Sequence, residues 1–297
     1  MRVLITFFAG LFGLAFGSFL NVCLSRWPDG ESIVSPSSHC RICGRELRWW
    51  ENIPLLSWLA LRGRCRTCKS WIGLRYPLVE AAVGVLWAAE MWNAAPVLLS
   101  HIFLGSIWGY AFVQLSQMFF LWLLVALAVL DYENLWLPDA LTIPGATLGF
   151  LSVLYSFWLS GRNVLAYYGA SGLMRPMLWR VAWHRLLAIF AAALLILAIR
   201  WLYQLIRHRE GLGLGDAKLM ALLAAWLGLA GALVAFFFGV VLAALAALLL
   251  LAAPRLRHEG PWAEQKLPLG TFLSIGGIVS ALWGQLLLAL YFRWAGL

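Results

Sequence analysis

Long apolar runs alternate with short polar turns along almost the whole chain. A membrane-spanning helix needs about 20 mostly apolar residues, so this pattern predicts a membrane protein built of helices. The third run is long enough to include an interfacial piece before its spanning portion, and the sixth is short for a full crossing. We predict about eight transmembrane segments, near residues 3–24, 76–94, 100–130, 140–160, 182–205, 217–229, 231–253 and 269–292.

A large polar insertion lies between the first two segments, at residues 25–75. It holds nine Lys or Arg residues against four acids, and basic residues collect in cytoplasmic loops. We therefore expect a first span (1–24), a small cytoplasmic domain (25–75) and a membrane domain (76–297). Alternation of the spans then places the 161–181 loop outside and puts three turns in the cytoplasm, at 131–139, 206–216 and 254–268.

Composition and charge limit the possible partners. Hydrophobic residues make up 63% of the chain and charged residues 12%, whereas soluble domains carry about a quarter charged residues. The net charge of +9 lies in loops, where topology explains it, so we expect membrane lipid and no nucleic acid as a partner. Four tryptophans of the polar insertion either rest on the inner leaflet or pack against the spans: Trp49, Trp50, Trp58 and Trp71.

Four of the five cysteines form two CxxC pairs. Two such pairs complete the tetrahedral thiolate shell that zinc prefers, and they leave no open position for catalysis. Two disulfides are the alternative, which a reducing cytoplasm disfavours. We expect His39 to be exposed rather than a ligand, and Cys23 to be buried in the first span. The predicted ligands of a structural zinc ion are Cys40, Cys43, Cys65 and Cys68.

Two carboxylates lie where apolar runs meet predicted cytoplasmic turns. Asp131 ends the run 119–130, and Asp216 follows the glycine-rich turn 211–215 and precedes another run. An ionisable group at membrane depth is costly and marks a functional site by default. Two such acids on one side suggest a pair that activates water. One carboxylate would take a proton from the water, and the other, protonated, would hydrogen-bond the scissile carbonyl.

The expected setting of each acid suggests which one carries the resting charge. Asp216 would sit at a helix N-terminus, two residues before Lys218, and both features favour its anion. Asp131 would sit at a helix C-terminus, where the helix dipole disfavours negative charge. We therefore expect Asp216 to be ionised and Asp131 to hold the proton in the resting state.

The glycines before Asp216 have a separate role. Gly213 and Gly215 permit positive φ and let a substrate backbone approach closely. Taken alone, however, a glycine-rich turn that ends in Asp is more often a helix N-cap than a catalytic element. Asp139, just before another apolar segment, is likewise expected to be an N-cap. The residues by themselves leave both interpretations of Asp216 open.

Taken together, these elements resemble the prepilin peptidases, membrane enzymes that process type IV prepilins and type II secretion pseudopilins. The resemblance covers nearly the whole chain. Its most specific part is the N-terminal block with two CxxC pairs, whereas the GxGD element is shared with other intramembrane aspartyl proteases. The matching elements are Gly17–Asn21, the cysteine quartet, Asn52–Trp58, Leu61–Cys65, Arg75–Glu80, Asp131 with Leu137–Asp139, Gly213–Lys218 and Leu267–Gly270.

The resemblance implies an aspartic endopeptidase of the bacterial inner membrane, with its active site facing the cytoplasm. Its substrates would be prepilins and pseudopilins, cut after the glycine that closes the short basic leader. Asp131 and Asp216 match the catalytic pair, supported by Gly213, Gly215 and Lys218. Members with this N-terminal block also methylate the new amino terminus with S-adenosylmethionine. That second activity is expected here, although the sequence assigns no residues to the methyl-donor site.

One residue has no assigned role, and two features depart from the family pattern. Glu80, just inside the second segment, either pairs with Arg75 or contributes to the methylation site. Leu269 and Thr271 stand where bulkier aromatic or proline residues are expected. The 161–181 loop is long, and its arginines are unusual for an outer loop.

Two other classes of protein would use some of these features. A proton- or ion-coupled transporter would place its carboxylates near the midplane between repeated halves. Here the two acids lie at span ends, and the sequence shows no convincing repeat. A zinc-containing adaptor of a pilus or secretion assembly, without protease activity, would use the cysteine loop to hold a partner. It would leave Asp131 and Asp216 unexplained.

Overall fold

The computed structural model describes residues 1–103, 107–167, 173–208, 213–252 and 267–296. Within these ranges the fold is helical, and the β-pairing is confined to two isolated bridges in the cysteine loop. A single 3-10 turn spans Trp49–Asn52. The helices are α1 (Arg2–Arg26), α2 (Leu56–Ala60), α3 (Arg75–Phe103), α4 (Ile107–Asn134), α5 (Asp139–Tyr167), α6 (Met174–Arg207), α7 (Leu214–Ala252) and α8 (Leu269–Ala295).

Seven helices in the described ranges, all except α2, are long and apolar enough to cross a membrane. The predicted class, an all-α polytopic membrane protein, is confirmed. The predicted count of about eight is not confirmed: the predicted segments 217–229 and 231–253 correspond closely to the parts of α7 before and after a break at Gly228. The predicted loop at 161–181 is also largely helical, since α5 ends at Tyr167 and α6 begins at Met174.

Gly228 divides α7 into two arms. Its backbone has φ 75° and ψ 178°, a conformation that residues with a Cβ rarely adopt. The break removes helical partners from carbonyl groups at the end of the first arm. Arg185 of α6 supplies a replacement, because its Nη1 donates to Ala224 O at 3.3 Å and to Trp226 O at 3.4 Å.

The second arm of α7 runs antiparallel to α8. Near the break, Ser280 Oγ donates to Gly231 O at 2.8 Å. Farther along the arm, Gly239 lies against Leu273 near the beginning of α8, where a Cβ on Gly239 would come within 3.0 Å of a Leu273 side-chain carbon. Small residues at such positions let helix backbones approach closely in a membrane.

Contacts divide the chain into two compact units, Met1–Ala126 and Leu127–Leu297. In the first unit, α1 packs closely on α3, because a Cβ on Gly17 would lie only 2.7 Å from Glu80 Cα. In the second unit, α7 packs on α5, α6 and α8. The predicted division after residues 24 and 75 rests on polarity and topology, and it stays a prediction.

Candidate active site

Asp131 lies in the last turn of α4 and is 6% exposed. Its Oδ2 accepts a hydrogen bond from the backbone N–H of Thr271 at 2.7 Å and from Thr271 Oγ1 at 3.3 Å. The same hydroxyl donates to Ala128 O at 2.9 Å, and because it carries a single proton its longer contact with Asp131 is the weaker of the two. Thr271 is the third residue of α8, so the free N–H groups at the beginning of that helix point at the Asp131 carboxylate.

Asp216 lies in the first turn of α7 and is 8% exposed. Its Oδ2 accepts a hydrogen bond from the backbone N–H of Gly213 at 3.2 Å. Since α7 begins at Leu214, Asp216 is the third helical residue and reaches back to the residue before the helix, as in one half of a capping box. The alternative of a capping role is therefore correct in part, but from inside the helix rather than from the N-cap position.

Leu137 connects the surroundings of the two acids. A Cβ on Gly215, beside Asp216, would lie 3.2 Å from Leu137 Cδ1. A Cβ on Gly270 would lie 2.9 Å from the same carbon and 2.9 Å from Asp131 Cγ. Asp131 and Asp216 therefore lie on either side of the same leucine. Two buried acids that lie close together can share a proton, which is what water activation by a dyad requires.

The two glycines beside the acids leave room for the dyad. Gly270 cannot carry a side chain without displacing the Asp131 carboxylate or Leu137, and Gly215 is nearly as constrained by Leu137. Gly213 contributes its N–H to Asp216. Gly211, the first glycine of this turn, lies outside the described residues.

Lys218 donates a hydrogen bond to Asp139 Oδ1 and forms an ion pair with it. Its charge, which the sequence assigned to the support of Asp216, is thus shared with another carboxylate. Asp139 is the first residue of α5 rather than the residue before it. The predicted N-cap role is wrong in that detail, because the carbonyl of Pro138 accepts the first helical hydrogen bonds and the Asp139 side chain binds Lys218.

The location of the resting proton is influenced by opposing features. The donors from Thr271 favour negative charge on Asp131, since hydrogen bonds to a carboxylate stabilise its ionised form. The beginning of α7 and the N–H of Gly213 favour negative charge on Asp216. The assignment of the proton to Asp131 stays a prediction, and the donors from Thr271 were not expected from the sequence.

The four predicted zinc ligands lie together in the first unit. The sulfur atoms of the cysteine quartet are all within 4.8 Å of one another. Cys40 Sγ and Cys68 Sγ are 3.8 Å apart, which equals the sulfur–sulfur distance of roughly 3.8 Å that a tetrahedral ion with bonds of about 2.3 Å requires. All five cysteines are free thiols, so the disulfide alternative is not adopted here. The donor set and its spacing fit a zinc ion.

The two CxxC pairs have the same local fold, displaced by 25 residues. In the first, Gly44 N donates to Cys40 O; in the second, Lys69 N donates to Cys65 O. Both turn residues have positive φ, 69° at Gly44 and 58° at Lys69. Antiparallel bridges flank both turns, His39 with Glu46 and Arg64 with Trp71. The sequence shows no convincing repeat, because apart from the cysteines and one arginine few residue types recur between the two turns.

Electrostatics divide the quartet: the backbone N–H of Arg45 opposes the shift, but burial and the side chains of Cys40, Cys68 and Cys65 raise the pKa of Cys43 to about 11, whereas Cys40 ionises readily. Burial opposes ionisation of Cys40, but backbone N–H groups of Cys43 and Ile42 and the thiols of Cys65 and Cys43 together lower the pKa of Cys40 to about 6. A thiolate, rather than a thiol, is the form that binds metal. Cys23 is fully buried, as predicted. His39, expected to be exposed, is half-buried.

Comparisons with known proteins agree with this arrangement. The family described as "Type IV leader peptidase family" matches residues 118–248, which include both acids. The family described as "Bacterial Peptidase A24 N-terminal domain" matches residues 11–94, which include the cysteine quartet. A prepilin leader peptidase/N-methyltransferase of Stutzerimonas stutzeri is 30% identical over 96% of this chain and 93% of its own length.

This chain belongs to the type IV leader peptidase family. The protein of the same description from Xanthomonas campestris pv. campestris is 33% identical over 97% of this chain and 94% of its own length. The corresponding protein of Pseudomonas aeruginosa is 30% identical over 96% and 93% of the two chains. No solved structure matches the chain. The predicted family is therefore confirmed, whereas the roles of individual site residues rest on the geometry described above.

Sequence reasoning does not reveal the part that Thr271 and Leu137 play in this family member. In the sequence, Thr271 is only a departure from the expected residue, yet its N–H and hydroxyl both contact Asp131. Leu137 appears in the sequence only as part of the element Leu137–Asp139, yet its side chain lies against both Gly215 and Gly270, the glycines beside the two acids. A signal is present for Thr271, because a hydroxyl residue at the beginning of a helix is commonly a hydrogen-bonding residue.

The remaining open residues of the polar insertion are placed as follows. Glu80 does not pair with Arg75: its Oε2 accepts from Leu55 N at 2.8 Å, whereas Arg75 Nη2 donates to Ser25 Oγ at 2.9 Å. The alternatives for the four tryptophans, contact with lipid or with the spans, stay predictions. The rings of Trp58 and Trp71 pack on each other, whereas Trp49 is 82% exposed.

Proposed function

We propose that this chain is a prepilin leader peptidase and N-methyltransferase that cleaves through Asp131 and Asp216. The observation that carries the proposal is the pair of buried carboxylates: Asp131 at the end of α4, against the beginning of α8, and Asp216 at the beginning of α7. The chain that holds them belongs to the type IV leader peptidase family. The curated relatives carry that name over nearly their full lengths. The substrates would be prepilins or pseudopilins with a short basic leader.

In the proposed cleavage step, the ionised acid of the pair takes a proton from the attacking water. The protonated acid donates a hydrogen bond to the scissile carbonyl and stabilises the negative charge that develops on its oxygen. The proton then passes to the leaving amine as the carbon–nitrogen bond breaks. One acid must be protonated and the other ionised, and two close carboxylates in a buried site adopt that state readily.

The residues around the acids would position them rather than react. The backbone N–H of Thr271 fixes the Asp131 carboxylate, and the backbone N–H of Gly213 fixes Asp216. Gly215 and Gly270 would let an extended substrate backbone approach, because neither carries a Cβ beside Leu137. Lys218, held by Asp139, would contribute positive charge near the beginning of α7.

Cleavage of a co-expressed prepilin by single variants tests the proposed pair. We expect Asp131→Asn and Asp216→Asn each to lower the cleavage rate by at least about 100-fold, since each removes one acid–base role. Asp139→Asn is the matched control, because it makes the same chemical change on an acid that is largely exposed and outside the pair. Membrane levels of each variant must equal those of the wild type.

The outcomes separate the alternatives clearly. Normal cleavage by Asp131→Asn or Asp216→Asn, at equal expression, would end the two-aspartate mechanism. Loss of cleavage in all three variants would indicate a general effect on folding of the second unit. Normal pilus or secretion function without any cleavage would favour the non-proteolytic adaptor instead.

The second proposed activity is methylation of the amino terminus that cleavage exposes. S-Adenosylmethionine, when bound, supplies the methyl group: its carbon bonds to the amino nitrogen, the carbon–sulfur bond breaks with its electron pair left on sulfur, and the nitrogen loses a proton. Mass spectrometry of the mature pilin reports this directly. The expected product carries one added methyl group, and an unmodified amino terminus in the presence of the donor would contradict the proposal.

We further propose that Cys40, Cys43, Cys65 and Cys68 hold a structural zinc ion. The ion would replace the missing core of the polar insertion and so supply much of its folding free energy. We also propose the bacterial inner membrane as the location, with both the zinc site and the two acids toward the cytoplasm. The excess of basic residues in the insertion supports this orientation.

A further inference from the structure

Ser274 is a buried polar residue of α8 that the cleavage step described above does not use. The residue is 0% exposed, and its Oγ has no hydrogen-bond partner among the described residues. A buried hydroxyl that makes no hydrogen bond is unfavourable, and an apolar side chain of similar size would avoid that cost. Its presence in the interior therefore indicates a partner that is supplied from elsewhere.

Other hydroxyl residues in the helices of the second unit have partners within the fold. Thr142 and Thr147 of α5 donate to the carbonyl groups four residues earlier, at 3.2 Å and 3.0 Å. Ser280, on the same helix as Ser274, donates to Gly231 O of α7 at 2.8 Å. Bonds of these two kinds are the ordinary role of a hydroxyl in a membrane helix. Ser274 makes neither kind with the described residues.

The position of Ser274 on α8 directs it toward the aspartate pair. Gly270 lies one turn earlier, and a Cβ there would be 2.9 Å from Asp131 Cγ. Residues four apart share a face of a helix, and side chains lean toward its N-terminus. The Ser274 hydroxyl therefore lies on the stripe of α8 that meets Asp131. The neighbouring stripe, which includes Leu273 and Ser280, packs on the second arm of α7 instead.

The separation along this stripe fits one water molecule. Cβ positions four residues apart in a helix are about 5–6 Å from each other, and the Asp131 carboxylate lies beside the Cβ position of Gly270. A gap of that length is too long for a direct hydrogen bond, whereas two hydrogen bonds of about 2.8 Å through a water span it. In agreement, Ser274 Oγ makes no direct hydrogen bond to the carboxylate.

We propose that Ser274 Oγ holds the attacking water against the Asp131 carboxylate. The inference rests on the proposed two-aspartate cleavage and adds a third side chain that touches the reacting water. As the water oxygen bonds to the scissile carbon, one of its protons passes to the ionised acid of the pair, and the other stays hydrogen-bonded to Ser274 Oγ. Orientation of the water in this way contributes to kcat rather than to binding of the prepilin.

Kinetics and stability of Ser274→Ala together test this role, on the purified full-length protein in detergent with a prepilin substrate. We expect kcat to fall by about three- to tenfold and KM to stay nearly unchanged, because one hydrogen bond to the attacking water is lost. The midpoint of thermal unfolding should stay equal or rise, because the substitution removes a buried hydroxyl that has no partner within the described fold.

Ser280→Ala is the matched control, since it makes the same change at a buried position of the same helix. Its hydroxyl has a partner in the fold, Gly231 O, so alanine should lower the unfolding temperature and leave kcat unchanged. The two substitutions are therefore expected to have opposite effects. An unchanged kcat in Ser274→Ala, or a loss of stability like that of Ser280→Ala, would overturn the proposal.

A second pair of variants covers the case in which alanine alters the packing around α8. Ser274→Thr keeps the hydroxyl, and Ser274→Val has a methyl group in its place, so both add the same bulk at this position. The threonine variant should have a several-fold higher kcat than the valine variant. Equal values of kcat would overturn a role for the hydroxyl even if the added bulk slows both variants.

The outcomes also separate this inference from the proposed function. Normal cleavage by Asp131→Asn would end the two-aspartate mechanism, whatever the effect of Ser274→Ala. Loss of cleavage in Asp131→Asn together with a normal kcat in Ser274→Ala would overturn only the role of Ser274. A raised KM at normal kcat would assign the hydroxyl to the prepilin rather than to the water, which also overturns the proposal. A lower kcat at unchanged KM, without loss of stability, is the result that supports it.

Discussion

At the scale of single residues, Thr271 shows how a backbone and a side chain together position the carboxylate of Asp131. Its N–H and its hydroxyl both contact Oδ2 of Asp131. The N–H bond at 2.7 Å is the shorter, and it does not depend on the side chain. Substitution at this position should therefore weaken the support of Asp131 without removing it.

We predict that Thr271→Val lowers kcat for cleavage by roughly tenfold and leaves KM nearly unchanged. Valine keeps the branched shape but removes the hydroxyl, which joins Ala128 O to the carboxylate of Asp131, and a hydrogen bond of this kind contributes about 0.5–1.5 kcal/mol. Thr271→Ser keeps the hydroxyl and should retain most of the activity. Equal losses in both variants would contradict a role for the hydroxyl, and a changed KM alone would indicate a role in substrate binding.

A second prediction at this scale concerns Glu51, which is buried and accepts hydrogen bonds from both terminal nitrogens of Arg45 and from Arg48 N. The hydrogen bonds from Arg45 lower the pKa of Glu51 below its ordinary value. A lowered pKa stabilises the folded loop above the unfolded pKa, and this contribution is lost as the pH falls through the folded pKa. Glu51→Gln should therefore release zinc to a chelator several-fold faster than the wild type. The ratio of the two release rates should be constant between about pH 5 and 7, because Glu51 of the wild type stays ionised throughout that range.

The matched control for Glu51 is Glu46→Gln in the same loop, because Glu46 is exposed. It should change the rate of zinc release little. A ratio between Glu51→Gln and wild type that falls toward one as the pH is lowered from about 7 to about 5 would mean that Glu51 titrates in that range. Such a result would contradict the lowered pKa.

At the scale of secondary structure, the apolar pattern indicates an interruption near residue 230 but does not predict the backbone break at Gly228. The pattern predicts one short segment, 217–229, and one of full length, 231–253, and in the structure both belong to α7, which is broken at Gly228. Arg185 then satisfies the carbonyl oxygens that the break exposes. A break inside an apolar helix is tolerated only where neighbouring side chains restore the lost hydrogen bonds.

We predict that Gly228→Ala destabilises the second unit by about 1–3 kcal/mol from its backbone conformation alone, because φ 75° with ψ 178° is nearly exclusive to glycine. A further cost follows because the new Cβ would lie 2.9 Å from Arg185 Nη1. Thermal unfolding in detergent measures the sum. Gly30→Ala is the matched control, since Gly30 has φ 68° and a Cβ there would meet no atom within 4 Å, so it carries only the conformational cost. Equal effects of the two substitutions would show that the contact with Arg185 is not constraining.

At the scale of the whole molecule, each unit carries one proposed site. The first unit contains the cysteine quartet, and the second contains Asp131 and Asp216. The two family matches divide the chain in a similar way, at residues 11–94 and 118–248. Substitutions in the quartet should therefore affect zinc binding first, and substitutions of the two acids should affect cleavage first.

The orientation of the molecule is a prediction at the same scale. The basic insertion should face the cytoplasm, because Lys and Arg residues collect on that side. An epitope inserted after Gly30, an exposed residue with open space around it, should be detected in inverted membrane vesicles and not in intact spheroplasts. Detection in intact spheroplasts would reverse the proposed topology and place the zinc site in an oxidising compartment.

The sequence by itself determined the class of protein, the cysteine quartet and the two acids. Apolar runs long enough to cross a membrane restrict the fold to helices, since each backbone polar group must be satisfied within its own segment. Paired cysteines at CxxC spacing carry their own local geometry, and acids at the ends of apolar runs are conspicuous because they are costly there. These signals are local, so they can be read without the fold.

The tertiary structure alone decided which residues meet. Thr271 lies 140 residues from Asp131 along the chain, and Leu137 lies far from Gly215 and Gly270, so no spacing rule relates them. The same holds for Glu80 and Leu55, for Lys218 and Asp139, and for Arg185 at the break in α7. Each of these contacts depends on how helices pack, and packing is set by the whole set of side chains between two helices rather than by either segment alone.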